Sequence, residues 1–371
     1  MRVAIDAHAI GTGAGGNETY VRELLLALDA HAPTLDVVAL MHRGAHVAGV
    51  SRVKPYGLVN VPSFLRVPLQ LPVAAVRARC DLLHAQYNAP PYCPRPYVAS
   101  IHDIGWVHYP ELFPPAMRGR LAALTPGTLR RAARVFTLTE AIRREIAETY
   151  GTSIEKIDVV APGVDPRYFV RHVPEALEAV RAKYGLPEDY ILYVGAVQPR
   201  KNLVRLAEAF ARLNDRGLPH ALVIAGKHTW LADDVLKPVE ALQLGDRLRF
   251  TGYVDAGDLP ALMAAASAFA YVSVYEGFGL PVLEAMACGT PVLASRAAAI
   301  QEVAGDAALC VDALSVDALE DGLYRILTNV ALRESLKVAG PIRAAHFTRE
   351  AMAKAAMKGY EKALPASTLR L

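Results

Sequence analysis

Cysteine is scarce in this chain: Cys80, Cys93, Cys288 and Cys310 are the only four, scattered over 371 residues with no Cys-x-x-Cys pair. A chain of this length needs no disulfide stapling, and the spacing forms no zinc knuckle, so both scaffolds are excluded. Long apolar runs are missing too. The most apolar stretch, Leu262 to Tyr275, covers 14 residues and contains Ser267 and Ser273, short of the roughly 18 to 20 residues that span a bilayer. Charged residues are modest at 21%, against 53% apolar, a balance that excludes a disordered polymer or a collagen-like repeat. The chain opens Met1-Arg2-Val3-Ala4-Ile5-Asp6, reaching a carboxylate with no apolar region ahead of it. That opening argues against a signal peptide and predicts a cytoplasmic protein.

At roughly 150 residues per domain, the length predicts two to three domains. Val3–Ile5, Val37–Leu40, Leu82–His84, Val98–Ile101, Val135–Leu138 and Ile157–Val160 read as short buried strands, interleaved with helical patterns such as Glu18–Leu28 and Ala141–Tyr150. After Pro166 the pattern restarts with Tyr190–Val194, Ala221–Ala225, Leu248–Thr251, Ala268–Val272 and Pro291–Ala294. Alternation of this kind predicts an α/β protein with two doubly wound parallel sheets. Ala161-Pro162-Gly163-Val164-Asp165-Pro166 is rich in turn formers near the midpoint. The expected domains are 1–168 and 169–347, with a terminal helical segment, 348–371, that can cross back onto the first.

The net charge is +3, unevenly spread: residues 1–170 hold 18 Lys and Arg against 14 Asp and Glu. From Arg43 to Arg134 there are 12 basic residues against Asp81, Asp103 and Glu111. Such a surface suits an anionic membrane or a phosphate-bearing acceptor, and equally a solvated basic face; apolar Phe64, Leu65, Leu69 and Leu71 are interleaved with it. No nucleic-acid partner is expected.

Ligands of parallel sheets sit beyond the carboxyl ends of strands, so the loops there are the places to search. Gly11 to Gly16 fits G-x-G-x-x-G between a strand and a helix, a pattern shared with dinucleotide sites. The second strand, however, runs into Met41-His42-Arg43 and lacks the terminal acid that would hold a ribose hydroxyl. An NAD-dependent oxidoreductase is therefore one alternative; a ligand-free loop and a glycine-lined approach for another phosphate or sugar are the others.

A denser pattern is Tyr275-Glu276-Gly277-Phe278-Gly279-Leu280-Pro281-Val282-Leu283-Glu284. Pro281 suits a first helical position, and the amides of Gly279 and Leu280 would face a bound anion flanked by Glu276 and Glu284. A third lies at Val194-Gly195-Ala196-Val197-Gln198-Pro199-Arg200-Lys201-Asn202. Two cations at the start of a helix oppose its dipole unless an anion lies between them, and a diphosphate would serve; a plain surface Arg-Lys pair is the ordinary alternative.

These motifs, in this order and covering nearly the whole chain, resemble the retaining glycosyltransferases of family 4, and in the Glu-Gly-Phe-Gly-Leu-Pro segment bacterial mannosyltransferases. The resemblance implies the GT-B architecture, two facing Rossmann-like domains with an interdomain cleft, the first binding acceptor and the second a nucleotide-sugar donor. It further implies that Glu284 binds the donor ribose, Glu276 the hexose, and Arg200 and Lys201 the diphosphate. Gly277, Phe278, Gly279 and Leu280 would line sugar and phosphate, Gly15 and Gly16 would approach from the first domain, Val254 would meet the base and His102 the reacting sugar. Many members carry Arg where this chain has Ala196, and Arg200 is the candidate substitute.

No Asp-x-Asp occurs in the sequence, so the leaving diphosphate would be stabilised by cations and helix amides, with no metal or other cofactor. The expected reaction is retaining transfer of a hexose, mannose from GDP-mannose first, to a saccharide or lipid-linked saccharide acceptor of surface polysaccharide or lipopolysaccharide at the inner face of the membrane. A UDP-sugar donor, a paired-carboxylate glycosidase and a nucleotide-sugar epimerase are the competing readings.

Overall fold

The computed structural model describes residues 1–13 and 15–364; Ala14 of the glycine loop and 365–371 of the expected terminal segment lie outside the described residues. The chain divides into two compact units. One comprises Met1–Gly163 together with the chain from Phe347, the other Val164–His346.

In the first unit, seven strands form one sheet: β1 Arg2–Asp6, β2 Asp36–His42, β3 Lys54–Leu58, β4 Leu82–Gln86, β5 Tyr97–Ser100, β6 Arg134–Thr137 and β7 Ile157–Val159. All neighbours are parallel, in the order β3-β2-β1-β4-β5-β6-β7. The second unit repeats the plan with β8 Tyr190–Val194, β9 Ala221–Ala225, β10 Leu248–Gly252, β11 Ala268–Tyr271, β12 Val292–Ser295 and β13 Leu309–Val311, ordered β10-β9-β8-β11-β12-β13. Both are Rossmann-like sheets. Strand order reverses between β1 and β4 and between β8 and β11, and the loops leaving those strands border the crevice where such sheets take ligands.

The central strands are apolar without alternation because helices cover both faces: every residue of β9 and β11 is buried. The helices present a matching stripe. In Leu203–Arg212, Leu203, Leu206, Ala207 and Phe210 are buried at the i, i+3, i+4, i+7 spacing.

Two strands lack the expected sequence signature. β3, Lys-Pro-Tyr-Gly-Leu, holds a proline and a glycine that read as a turn; it is tolerated because it lies at the sheet edge, where a missing N–H breaks no ladder. At the far edge of the other sheet, β13 has only three residues, too few to show a period.

The terminal helix Arg349–Ala363, capped by Thr348 Oγ1 accepting from Ala351 N, belongs to the first unit. Arg349 donates from two nitrogens to the buried carboxylate of Glu23 at 2.7 and 3.0 Å. Tyr360 Oη lies 2.8 Å from His84 Nδ1, whose Nε2 is 2.7 Å from Ser100 Oγ. The helix approaches closely because Gly359 has no side chain: a Cβ there would stand 2.2 Å from the Phe136 ring. Among the described residues no helix is long and apolar enough to cross a membrane.

Candidate active site

The loop after β8 is built for close approach. A Cβ on Gly226 would lie within the Gly195 carbonyl, so position 226 needs glycine for the loops after β8 and β9 to touch, while a Cβ on Gly195 would stand 2.5 Å from the Tyr193 hydroxyl. The chain then makes a short turn, Pro199–Lys201, ending at Asn202 in the left-handed region at φ 60°. Asn202 Nδ2 donates to the carbonyls of Val272 (3.1 Å) and Ala313 (2.6 Å), and Val274 N donates to Arg200 O at 2.9 Å. These bonds fix the cationic turn against the end of β11.

Glu276, in the loop after β11, is buried and receives both cations. Arg200 Nη1 donates to its Oε2 at 2.9 Å and also to Tyr275 O at 2.9 Å; Lys201 Nζ donates to Oε1 at 2.5 Å. Tyr271 Oη accepts from Lys201 Nζ at 2.8 Å and donates to Glu276 Oε1 at 3.2 Å. Lys201 also lies 5.0 Å over the Tyr271 ring, which stacks between Tyr193 and Phe269. Burial opposes ionisation of Glu276, but Arg200 and Lys201 outweigh it and hold the carboxyl down at about 2. The anion that reconciles two cations at a helix start is thus supplied by the protein.

The segment Gly277, Phe278, Gly279 that follows is buried, and Gly279 adopts φ 94°, where a Cβ would stand 2.3 Å from Ile300 Cδ1. The helix Leu280–Ala287 starts there without a side-chain cap and with Pro281 in its first turn. Glu284 is half-buried on that helix, hydrogen-bonded to the phenol of buried Tyr168. Val254 is buried just beyond β10. Arg200, Lys201, Glu276, the Gly277–Leu280 segment, Glu284 and Val254 therefore all belong to the second unit. Among the described residues, no group of three or more His, Cys, Asp and Glu is placed to hold a metal.

Gly15, Gly16 and His102 belong to the first unit. His102 follows β5, its ring packed 4.4 Å from Tyr20 and 5.0 Å from Tyr87. Burial lowers its pKa to about 3, so the imidazole is neutral at pH 7. Nδ1 lies 3.1 Å from Asn17 Oδ1, which places the proton on Nδ1; buried Nε2 has no partner among the described residues and is an open acceptor. The dinucleotide reading of the glycine loop is corrected here. Gly11 N and Gly13 N donate to the Glu18 carboxylate at 3.0 and 2.8 Å, and Arg22 pairs with it at 2.6 Å. An internal carboxylate occupies the anion position, and β2 ends at His42 without the ribose-binding acid.

Sequence reasoning passed over Tyr271, Tyr193, Tyr168, Asn17 and Glu18. The tyrosines read as core; only Glu18, in the first turn after a glycine loop, carried a recognisable signal.

Glu276→Gln removes the buried carboxylate that pairs with Arg200 and Lys201 and is expected to destabilise the protein by about 3–5 kcal/mol at pH 7. A carboxyl depressed in the folded state contributes stability above its unfolded pKa and loses it as pH falls through its folded value. The difference from wild type should therefore shrink between about pH 4.5 and pH 2, as measured by denaturant unfolding; a pH-independent difference would contradict the network.

The group 1 glycosyl transferase model matches residues 178–343 and the glycosyltransferase family 4 model residues 14–168. O-antigen chain mannosyltransferase B of Escherichia coli is 33% identical over 255 residues, 68% of this chain and 67% of its own. A serotype-specific mannosyltransferase WbdA of the same species is 28% identical over 244 residues; the match takes 64% of this chain and 30% of that relative's length. A D-inositol 3-phosphate glycosyltransferase of Salinispora arenicola is 27% identical across 97% of this chain and 90% of its own. Among solved structures, a sucrose-phosphate synthase from Thermosynechococcus elongatus superposes with TM-score 0.79 at 23% identity, covering 98% of both chains. WaaG, a glycosyltransferase of lipopolysaccharide biosynthesis, superposes with 0.75 at 18%, covering 96% and 98%. Two Rossmann-like units, a cationic turn paired with Glu276 and these matches lead to one conclusion: the chain is a GT-B glycosyltransferase and belongs to family 4.

Proposed function

We propose that this glycosyltransferase moves mannose from GDP-mannose, with retention, onto a saccharide or lipid-linked saccharide acceptor in bacterial surface polysaccharide or lipopolysaccharide synthesis. The observation that carries the reading is the pair of cations, Arg200 and buried Lys201, held beside Glu276 in the loops at the carboxyl end of the second sheet, a placement that suits a diphosphate leaving group. The choice of mannose is supported by the mannosyltransferase relatives.

In this scheme the second unit binds the donor and the first the acceptor. Arg200 and Lys201 hold the diphosphate without a metal ion, with Arg200 supplying the charge absent at Ala196. The amides of Gly277 to Leu280 line phosphate and sugar, Glu284 takes the ribose hydroxyls, and Val254 meets the base. Glu276 accepts from the hexose. His102, with Nδ1 committed to Asn17, accepts a hydrogen bond from a sugar hydroxyl at Nε2 rather than donating one. As the anomeric carbon–phosphate oxygen bond breaks, the acceptor hydroxyl forms the new glycosidic bond on the same face and its proton passes to the departing phosphate oxygen. Glu276 forms no covalent bond.

A membrane contact also belongs to the proposal. Phe64, Leu65, Leu69, Val73 and Val76 are exposed along residues 63–77, which end in exposed Arg77, and exposed Arg120 bonds Ser63 Oγ at 3.0 Å. Exposed apolar side chains beside arginine suit an anionic bilayer surface. Phe64→Ser with Leu69→Ser should reduce co-sedimentation with phosphatidylglycerol vesicles severalfold; unchanged sedimentation would contradict this contact.

Incubation with GDP-mannose and a mannoside acceptor, followed by NMR of the product, should give an α-linked mannoside without added metal. A β-linked product, or transfer only from a UDP-sugar, would contradict the mechanism or the donor. Lys201→Ala should weaken nucleoside diphosphate binding by about 1.5–3 kcal/mol, and Glu284→Ala should also weaken nucleotide binding. Glu276→Ala should abolish transfer while sparing GDP affinity, because it releases two cations to the phosphates; calorimetric titration separates these outcomes.

A further inference from the structure

On the first sheet, at the carboxyl ends of β1 and β2, a second polar cluster stands apart from the residues discussed so far. Asp6 closes β1 with its side chain fully buried. Its Oδ1 faces His8 Nδ1 at 2.9 Å, while Oδ2 is buried with no partner among the described residues. His42 ends β2 with a buried, unpartnered Nδ1. Arg66 reaches inward from a π-helical turn, Arg66–Gln70, interposed between the helical segments Ser63–Leu65 and Leu71–Arg77. The guanidinium is buried, and its Nε has no acceptor among the described residues. Asp6, His8, His42 and Arg66 lie close enough to perturb one another electrostatically, and Asp6 and Arg66 attract without closing into an ion pair.

Leaving a carboxylate oxygen and a guanidinium N–H buried and unsatisfied is costly, so a partner from outside the chain, solvent or ligand, is expected there. The donor set narrows its chemistry. A phosphate or carboxylate would accept from Arg66 but meet Asp6 as a like charge; a cation would suit Asp6 and be repelled by Arg66. A neutral group that both accepts and donates suits the pair, and among the groups of a saccharide that is the hydroxyl. His42 and the outward ring edge of His8 add further partners, and adjoining hydroxyls on one rigid ring would meet several at once. The location, beyond parallel strands where such sheets take ligands, suits a substrate. π-Helical turns recur at functional sites, and here the turn aims one arginine inward while neighbouring Phe64, Leu65 and Leu69 are exposed.

We infer that Asp6, His42 and Arg66 form a binding subsite for neutral saccharide hydroxyls in the first unit, with His8 orienting Asp6. The inference rests on the saccharide-acceptor reading above and adds the residues that would select the acceptor's sugar.

The test uses the full chain with Asp6→Asn and, separately, Arg66→Lys, which keeps the charge but removes Nε; circular dichroism verifies folding of both. Methyl α-mannopyranoside, an α-linked mannobiose and orthophosphate are titrated by calorimetry and saturation-transfer NMR, with GDP thermal shifts alongside. At least one saccharide should bind wild type and weaken tenfold or more in each folded variant, with GDP shifts unchanged. Equal saccharide binding in wild type and variants means that solvent fills the gap and overturns the subsite, as does no saccharide binding to wild type, or binding of orthophosphate that the substitutions abolish. A wild-type protein that ignores GDP would instead strike the donor reading.

Discussion

The buried ion cluster of Arg200, Lys201 and Glu276 is the constraint around which the second unit is arranged. Two cations next to a helix start are unstable neighbours, and burial worsens their repulsion. The Glu276 carboxylate between them lowers that cost. Tyr271 and Asn202 serve the same end, one by bridging lysine and carboxylate, the other by tying the turn to β11 and the loop after β13. Leaving-group stabilisation needs charge that is already in place before the bond breaks. A cation pair clamped this tightly has little left to reorganise.

The sheet order explains why the cluster can exist. β8 and β11 are neighbours in space although β9 and β10 separate them in the chain, so the loops after them emerge side by side at the point where strand order reverses. A side chain at Gly226 would strike the Gly195 carbonyl, and one at Gly279 the Ile300 side chain. The first unit has the same layout but different contents. Its glycine loop is closed by Glu18, its His102 is a buried neutral acceptor, and its unsatisfied polar atoms include those at Asp6, His42 and Arg66.

The motifs and most strands were legible in the sequence because their signals are local. Gly-Phe-Gly-Leu-Pro announces a turn and a helix start by backbone preference alone, and runs such as Tyr190–Val194 can hardly be anything but buried strands. What could not be read depended on distant partners or weak local signals. β3 carries Pro55 and Gly57 and is a strand only because β2 offers it an edge; β13 is three residues long. Glu276 was recognisable as a functional carboxylate, yet its pairing with Arg200 and Lys201 joins positions far apart in the chain. Tyr271 looks like any core aromatic until its hydroxyl is seen between Lys201 and Glu276. Arg66 sits among exposed Phe64, Leu65 and Leu69, a local pattern that does not mark it as an inward side chain.

The central claim is that the second unit holds a nucleoside diphosphate through fixed cations and without a metal. The most direct measurement is thermal stabilisation by GDP, UDP, ADP, dTDP and NAD, each with and without EDTA, in wild type and Lys201→Ala. One nucleoside diphosphate should raise the melting temperature equally with and without EDTA, and the rise should fall sharply in Lys201→Ala. A shift abolished by EDTA, or the same shift in the variant, would contradict the claim.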